Sequence, residues 1–378
     1  MDFQLDREIN RFGTHCAKWD AAHVDEDVVC SGCADMDFAS APAIAKAIQA
    51  QVDHGIFGYT LMEDCDWNAV INWREKYHNH PLKREWLLFS PGVIPSLHAA
   101  LRAVSEPGDR ILVEPPVYPP FFGTVTGEGR TVAECPMQLI NGHWERDWEL
   151  MEKHFQDGVK VFMMCSPHNP TGRVYTREEQ ERLAALCIKY DITVVCDEIH
   201  ADLILPGHTH TPLAILPGME ERTITALSGS KTFNMAGLQI STVACVREDW
   251  RKTMAANLYG CAMGGPNVMA KVAQTAAYTE GRPWLEAVLA YVDDNARRMV
   301  AALNECGLPA TMPEGTYLIW VDGTRLGKTG EELVNYLVEK ARVHVQSGDP
   351  FGAPNWFRLN MAAPAGYVDR MIEGFKKV

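Results

Sequence analysis

The residues of this chain best suited to chemistry lie in Ser228-Gly229-Ser230-Lys231-Thr232-Phe233-Asn234, directly after the apolar run Thr223-Ile224-Thr225-Ala226-Leu227. A strand that ends in small hydroxyl residues and then a lysine presents an amine at the edge of a sheet. There it can meet a phosphorylated ligand and form a Schiff base with a carbonyl. Ser228 and Lys231 also stand at S-x-x-K spacing, which would make Ser228 a nucleophile. A solvated lysine in an ordinary Ser/Gly loop is the third possibility, and the segment alone does not choose among the three.

The elements that must position Lys231 narrow the choice. From about residue 87 short apolar runs alternate with amphipathic stretches, the pattern of strand-helix units around a largely parallel buried sheet. Leu87-Leu88-Phe89 leads into Ser90-Pro91-Gly92 and a helical stretch to Val104, and Arg110 to Val113 leads into Glu114-Pro115-Pro116-Val117-Tyr118. Val159 to Cys165 leads into Ser166-Pro167-His168-Asn169-Pro170-Thr171-Gly172. Thr176 and Glu179 then form a capping box for a helix running to about Tyr190. Ile192 to Cys196 ends at Asp197-Glu198-Ile199-His200, and the fifth run ends at Lys231. Beyond Gly281 a long helical stretch from Pro283 to Asn304 gives way to alternating segments, among them Thr316 to Val321, Val343 to Gln346 and Trp356 to Met361, with a helix near Glu331 to Glu339. Ligands of open α/β sheets sit beyond the carboxyl ends of the strands, so Gly92, Tyr118, Asn169, Asp197 and Lys231 are expected to converge on one site.

That set is what pyridoxal 5′-phosphate requires of a protein, which must bind, orient and tune a cofactor that acts as an electron sink. Lys231 is expected to be the Schiff-base lysine and to take the substrate α-proton, its pKa lowered by desolvation. Asp197 is expected to pair with the pyridinium nitrogen, Asn169 to donate to the ring 3-oxygen and Tyr118 to stack on the ring. Gly92, Val93 and Ile94 at a helix start offer amides to the phosphate, and Ser228 and Ser230 add hydroxyls. Each residue has a bland reading: a turn aspartate, an Asn-Pro turn, a loop tyrosine among prolines. Five of them in order at five strand ends do not.

On these residues the chain resembles the aspartate-aminotransferase-like, fold type I, class I/II pyridoxal-phosphate enzymes, and within them the carbon–sulfur β-lyases of the MalY/PatB type, which include cystathionine β-lyase and cystalysin. The matching segments include Ala34-Asp35-Met36-Asp37-Phe38, Phe57-Gly58-Tyr59, Ser90-Pro91-Gly92-Val93, Ser166 to Val174, Asp197 to Leu203, Ser228-Gly229-Ser230-Lys231, Pro313 to Tyr317 and Phe357-Arg358-Leu359-Asn360. The resemblance implies an α/β fold: an N-terminal arm over residues 1–38, a large cofactor domain over 39–282 with a mainly parallel seven-stranded sheet flanked by helices, and a small α/β domain over 283–378. It implies that Arg358 clamps the substrate α-carboxylate, with Ala34 and Asn169 beside the substrate, and that His200 contributes to the cofactor pocket. It further implies that Tyr59 reaches the cofactor of the neighbouring subunit of a homodimer.

Lyase and transaminase share the first proton abstraction, so the departures must separate them. Aminotransferases of this superfamily usually carry a tyrosine three residues after the ring-nitrogen aspartate and an arginine eight residues after the lysine. Here those positions are His200 and Gln239, as the lyase branch has the first. The expected reaction is therefore α,β-elimination on L-cystathionine, L-cysteine or a related S-substituted cysteine, giving a thiol, pyruvate and ammonia. The chain departs from the lyase pattern too: Cys30-Ser31-Gly32-Cys33 stands where an aromatic and an aliphatic residue are common, and Pro364-Ala365 replaces a Pro-Arg pair.

The remaining sequence restricts the alternatives. The 378 residues carry 35 basic and 49 acidic side chains, a net charge of −14, which opposes nucleic acid or an anionic membrane as partner. Eleven cysteines, an odd number without a framework, suit a reducing cytoplasm. The stretch Met1 to Arg7 has no secretory core and no run is long enough to span a membrane. Cys30 and Cys33 form C-x-x-C without a second ligand pair, so no metal is expected. Lys328-Thr329-Gly330 supplies another motif of penicillin-recognising serine enzymes, but Thr329 and Glu332 read as a capping box where that motif needs a strand. A protein that keeps the fold and acts by docking a regulator is the alternative of another class.

Overall fold

In a computed structural model, the structure describes residues 2–260 and 265–378; Met1 lies outside them. Its centre is a seven-stranded sheet of β1 (Leu87–Ser90), β2 (Arg110–Val113), β3 (Thr131–Glu134), β4 (Val161–Cys165), β5 (Thr193–Asp197), β6 (Thr223–Leu227) and β7 (Ser241–Cys245), in the order β1-β7-β6-β5-β4-β2-β3. Only β7 runs antiparallel to its neighbours, β1 and β6. The carboxyl ends of β1, β2, β4, β5 and β6 therefore share one edge, as the run-ends predict.

Continuous apolar runs form these strands because both sheet faces are covered. Along β4, Val161, Met163 and Cys165 pack with the helix Val93–Val104 on one side. Phe162 and Met164 pack with the helix Arg177–Tyr190 on the other, through Leu183 and Cys187. Each such large side chain, almost wholly removed from water, contributes about 1.5–3 kcal/mol. The helix Arg177–Tyr190 opens with both halves of the Thr176/Glu179 capping box.

A second sheet joins β8 (Leu318–Asp322), β9 (Gln346–Ser347) and β10 (Trp356–Asn360) in the order β8-β10-β9. It packs with the helices Arg282–Glu305, Gly330–Ala341 and Ala365–Phe375. The arm reaches it directly: Val29–Cys30 pairs in parallel with Val343–His344.

Three sequence expectations change. The segment Val343 to Gln346 is divided, its first half pairing with the arm and Gln346–Ser347 with β10, because partners lie on opposite sides. The strand expected from Thr316 begins at Leu318, since Thr316 has a left-handed backbone (φ 68°) and its hydroxyl accepts the Leu318 N–H. Thr329 does start a helix, but its side chain makes no cap, and Glu332 pairs with Lys328 instead. The run Ser241–Cys245 completes the sheet from the one antiparallel position.

Candidate active site

A cavity of about 760 Å³ opens at the carboxyl edge of the large sheet, a size suited to a cofactor with a small substrate. Its wall brings together Gly92, Val93, Ile94, Tyr118, Asn169, Asp197, His200, Ser230 and Lys231 from the strand ends, Ala34 from the arm and Arg358 from β10. Two expected residues are elsewhere. The Ser228 hydroxyl donates to the Ile240 carbonyl (2.8 Å) and accepts the Ser230 N–H (3.1 Å), so it braces the turn behind the wall rather than lining the cavity. Tyr59 is fully exposed, in a run with exposed Ile56, Phe57 and Leu61, and does not line the cavity of its own chain.

Asp197, His200, Lys231 and Arg358 of this wall share a property: among the described residues none has a salt-bridge partner. Asp197 accepts one backbone N–H, from Ile199 at 3.0 Å, and burial pushes its carboxyl up to about 7. Burial likewise draws the Lys231 ammonium below its usual value, while its Nζ donates to the Ala34 carbonyl at 2.7 Å. Arg358 donates to Asn169 Oδ1 and the Gly32 carbonyl, both at 2.9 Å, and its Nε has no partner. Among the described residues no carboxylate pairs with Arg358, and none pairs with Lys231. His200 is held neutral, drawn down to about 3 by burial and then by Lys231 and Arg358.

These unpaired groups fit pyridoxal phosphate. A buried carboxyl near 7 lacks the cation that a protonated ring nitrogen supplies. The helix Val93–Val104 has no side-chain cap, and Pro95 in its first turn has no N–H, leaving the amides of Val93 and Ile94 for an anion. Asn169 spends its oxygen on Arg358, so its amide nitrogen remains to donate. Tyr118 is half-buried beside Asp197 and Arg358, its phenol pushed up by burial first. Gln239, in the cavity wall, brings no charge to it.

Tertiary contacts hold the wall in place. The strap Cys33–Phe38 is pinned over Lys231 by Asn234, which bonds the backbones of Met36 and Phe38, and by Asn360, which donates to the carbonyls of Cys33 and Asp35. Tyr317 donates to the same Ala34 carbonyl as Lys231, at 2.8 Å. Asp37 anchors the strap to the arm through Lys18, Arg11 and Trp19. Sequence reasoning did not single out Tyr317, Asn360 or the lining residue Gln346 for the site. The register offers the signal for the last, since Gln346 faces Arg358 across β9 and β10.

Beneath the wall lies a second buried polar cluster whose charges are paired. Glu198 pairs with Arg74 and stands 3.3 Å from His210 Nε2. Asp202 accepts from His78 (2.6 Å), Trp73 (2.7 Å) and Thr232 (2.9 Å). Elsewhere Glu63, Cys65 and Asp66 come within metal-ligand reach of one another, but Lys271 already pairs with both carboxylates. Among the described residues no helix is long and apolar enough to cross a membrane.

Residues 31–375 match the aminotransferase class I and II family model. The chain is 37% identical over 366 residues to cystathionine beta-lyase PatB of Bacillus subtilis, covering 94% of each protein. Among solved structures it is similar to cystalysin from Treponema denticola, which contains a pyridoxal 5′-phosphate cofactor (TM-score 0.96, 29% identity, 100% of this chain and 98% of that one). It is also similar to the PLP-bound C-S lyase from Staphylococcus hominis (TM-score 0.92, 27% identity, 100% and 98%).

Proposed function

The chain belongs to the class I and II aminotransferase family, and on that premise we propose that it is a pyridoxal-phosphate-dependent carbon–sulfur β-lyase. Its substrates are L-cystathionine, L-cysteine or related S-substituted cysteines, and its products a thiol, pyruvate and ammonia. One observation carries the reading: a buried amine, a buried carboxyl near 7 and a buried guanidinium, none with a charge partner of its own, line one cavity. The lyase relatives decide which reaction of the family it performs.

The cofactor, when bound, supplies the electron sink that makes the substrate α-proton acidic. Each protein group then has a limited task. Arg358 binds the substrate α-carboxylate and supplies the ion pair it lacks. Lys231 takes the α-proton at Nζ, and its burial, which draws the ammonium below its usual value, favours the neutral amine that this task needs. The Ala34 carbonyl, 2.7 Å away, orients that nitrogen. With the cofactor bound, Asp197 would hold the charge of the ring nitrogen, Val93, Ile94 and Ser230 would hold the phosphate, Asn169 would donate to the ring oxygen and Tyr118 would pack on the ring. A thiolate is a good leaving group, so orientation of the carbon–sulfur bond is the main requirement.

The same reading makes the protein a cytoplasmic homodimer in which Tyr59 completes the partner's site. The exposed run Ile56, Phe57, Tyr59 and Leu61 supports it, as contiguous exposed apolar residues mark interaction surfaces. It also takes residues 1–38 as an arm, 39–282 as the cofactor domain and 283–378 as the small domain. The test is incubation of purified protein with L-cystathionine, following pyruvate and thiol. Pyruvate and thiol in equal amounts are expected, with a yellow absorbance band that borohydride removes. Amino-group exchange that needs a keto acid and yields no pyruvate would replace the lyase with an aminotransferase.

A further inference from the structure

The Cys33 thiol in the cavity wall has no part in the elimination. Cys33 is exposed and lines the cavity that holds Lys231, Tyr118 and Arg358. Its charge would be felt by all three, and by Tyr317. The backbone around it is fixed: the Gly32 carbonyl accepts from Arg358 and the Cys33 carbonyl from Asn360. A Cβ on Gly32 would stand 3.1 Å from the Gln346 nitrogen, a tight contact with backbone, whereas the Cys33 side chain stands in the cavity lining.

Two other thiols show what sets Cys33 apart. Cys165 also lines the cavity, but it is buried, its thiol is driven well above the usual value by burial, and it donates to the Pro167 carbonyl. Cys30, the other half of C-x-x-C, is buried in the strand beside His344 and pushed up to about 12. Arg358, more than nine-tenths buried, lines the same cavity and has no carboxylate partner among the described residues, so an anionic group that enters beside Cys33 meets a cation at the same wall.

We propose that Cys33 is a covalent capture site for disulfides that carry a carboxylate, the oxidised counterparts of the thiols this cavity handles. This rests on the reading of the cavity as a sulfur-amino-acid site. The Cys33 thiol releases its proton to solvent, and the thiolate attacks one sulfur of the disulfide in line. The sulfur–sulfur bond of the ligand breaks as a new one forms to Cys33, and the other half leaves as a thiolate, so the exchange needs no further oxidant. Arg358 holds the carboxylate of the retained half, which then occupies the substrate's space. Turnover stops until a free thiol reverses the exchange, so the ratio of disulfide to thiol sets the active fraction.

The holoenzyme is treated separately with dithiodipropionate, which bears carboxylates but no amine and is not a substrate for elimination, and with cystamine, its cationic counterpart. Adducts are located by peptide mass mapping, and Cys65 is the internal control, an exposed thiol flanked by Asp64 and Asp66. Cys33 is expected to take the dicarboxylate about tenfold faster than the diamine, the size of electrostatic steering, while Cys65 prefers the diamine. Turnover of L-cystathionine should fall in step with the Cys33 adduct and return with dithiothreitol. In Cys33→Ser the fractional inhibition, measured against that variant's own untreated rate, should vanish. Equal reaction of Cys33 with both probes, or a Cys33 adduct without loss of turnover, overturns the proposal. Pyruvate formation by a protein whose Cys33 stays unlabelled overturns it and leaves the lyase reading intact. Carboxylate-selective labelling of Cys33 in a protein that forms no pyruvate supports the capture site and sinks only the lyase.

Discussion

Asp197 and Glu198 are adjacent in sequence and equally buried, yet they face opposite surroundings. Asp197 turns to the cavity, makes no salt bridge among the described residues and is pushed up to about 7 by burial. Glu198 turns beneath it to Arg74 and His210, which outweigh burial and hold its carboxyl well below the usual range. A step of one residue along the strand end separates the two regions. The cluster of Arg74, Glu198, His78 and Asp202 has its charges paired within itself and holds structure. The unpaired set of Lys231, Asp197 and Arg358 is incomplete without a ligand, and that incompleteness makes it reactive.

The comparison breaks most visibly at Lys231. Lys231→Ala should lower pyruvate formation by about 10⁴-fold, or about 5 kcal/mol of barrier, with no comparable loss of folded stability. A urea melt beside the rate assay checks both halves. An unchanged rate would remove Lys231 from the unpaired set.

Glu198→Gln tests the paired region, where the expected loss is in stability. It strands Arg74, 4% exposed, without its carboxylate, which should cost about 3–5 kcal/mol. A midpoint within experimental error of the native protein would show that Arg74 finds water or another partner.

Asp197→Asn sharpens the contrast through pH. The carboxyl has a reference value of 3.8 and stands at about 7 in the fold. Ionising it in the apoprotein therefore costs nothing below the first value, and the cost is complete above the second. The variant has no such cost, so between about pH 5 and pH 8 it should gain about 2–3 kcal/mol on native apoprotein. Adding pyridoxal phosphate should reverse the order, because the native carboxylate then has its cation. Parallel pH profiles with and without cofactor would contradict the assignment.

The smallest effect is expected at Arg358→Lys. The charge survives but the two-pronged geometry is lost, so KM for L-cystathionine should rise about tenfold, near 1.4 kcal/mol, with a smaller change in kcat. A purely structural Arg358 would lower stability and leave KM alone.

The strand ends were legible because a parallel buried strand is a nearly unbroken apolar run, and the residues just after each run must lie at one edge. Val161–Cys165 and Thr223–Leu227 show this directly. β7 was missed as part of the sheet because its carboxyl end points away from the site and carries no motif. The split at Val343–Ser347 was hidden because both halves read as one extended segment until their partners are known. Thr329 misled because its spacing to Glu332 fits a capping box, while Lys328 draws Glu332 away. Ser228 reads from the sequence as a hydroxyl for the phosphate, and only the fold shows that this hydroxyl donates to the Ile240 carbonyl.

By itself, then, the sequence determined the class of fold, the edge of the sheet that bears the site and the types of residue gathered there, because period and spacing are local properties of a chain. Its motifs also carried the family resemblance. Tertiary structure alone decided which of two adjacent carboxylates is paired, which serine faces the cavity and which of three cysteines is open to a ligand. Those depend on burial and on partners outside each motif: Ile240, twelve residues on, for Ser228, the distant Arg74 for Glu198, and Asn360 and Arg358 for the backbone around Cys33. No spacing along the chain encodes the charge that a neighbour 124 or more residues away either supplies or withholds.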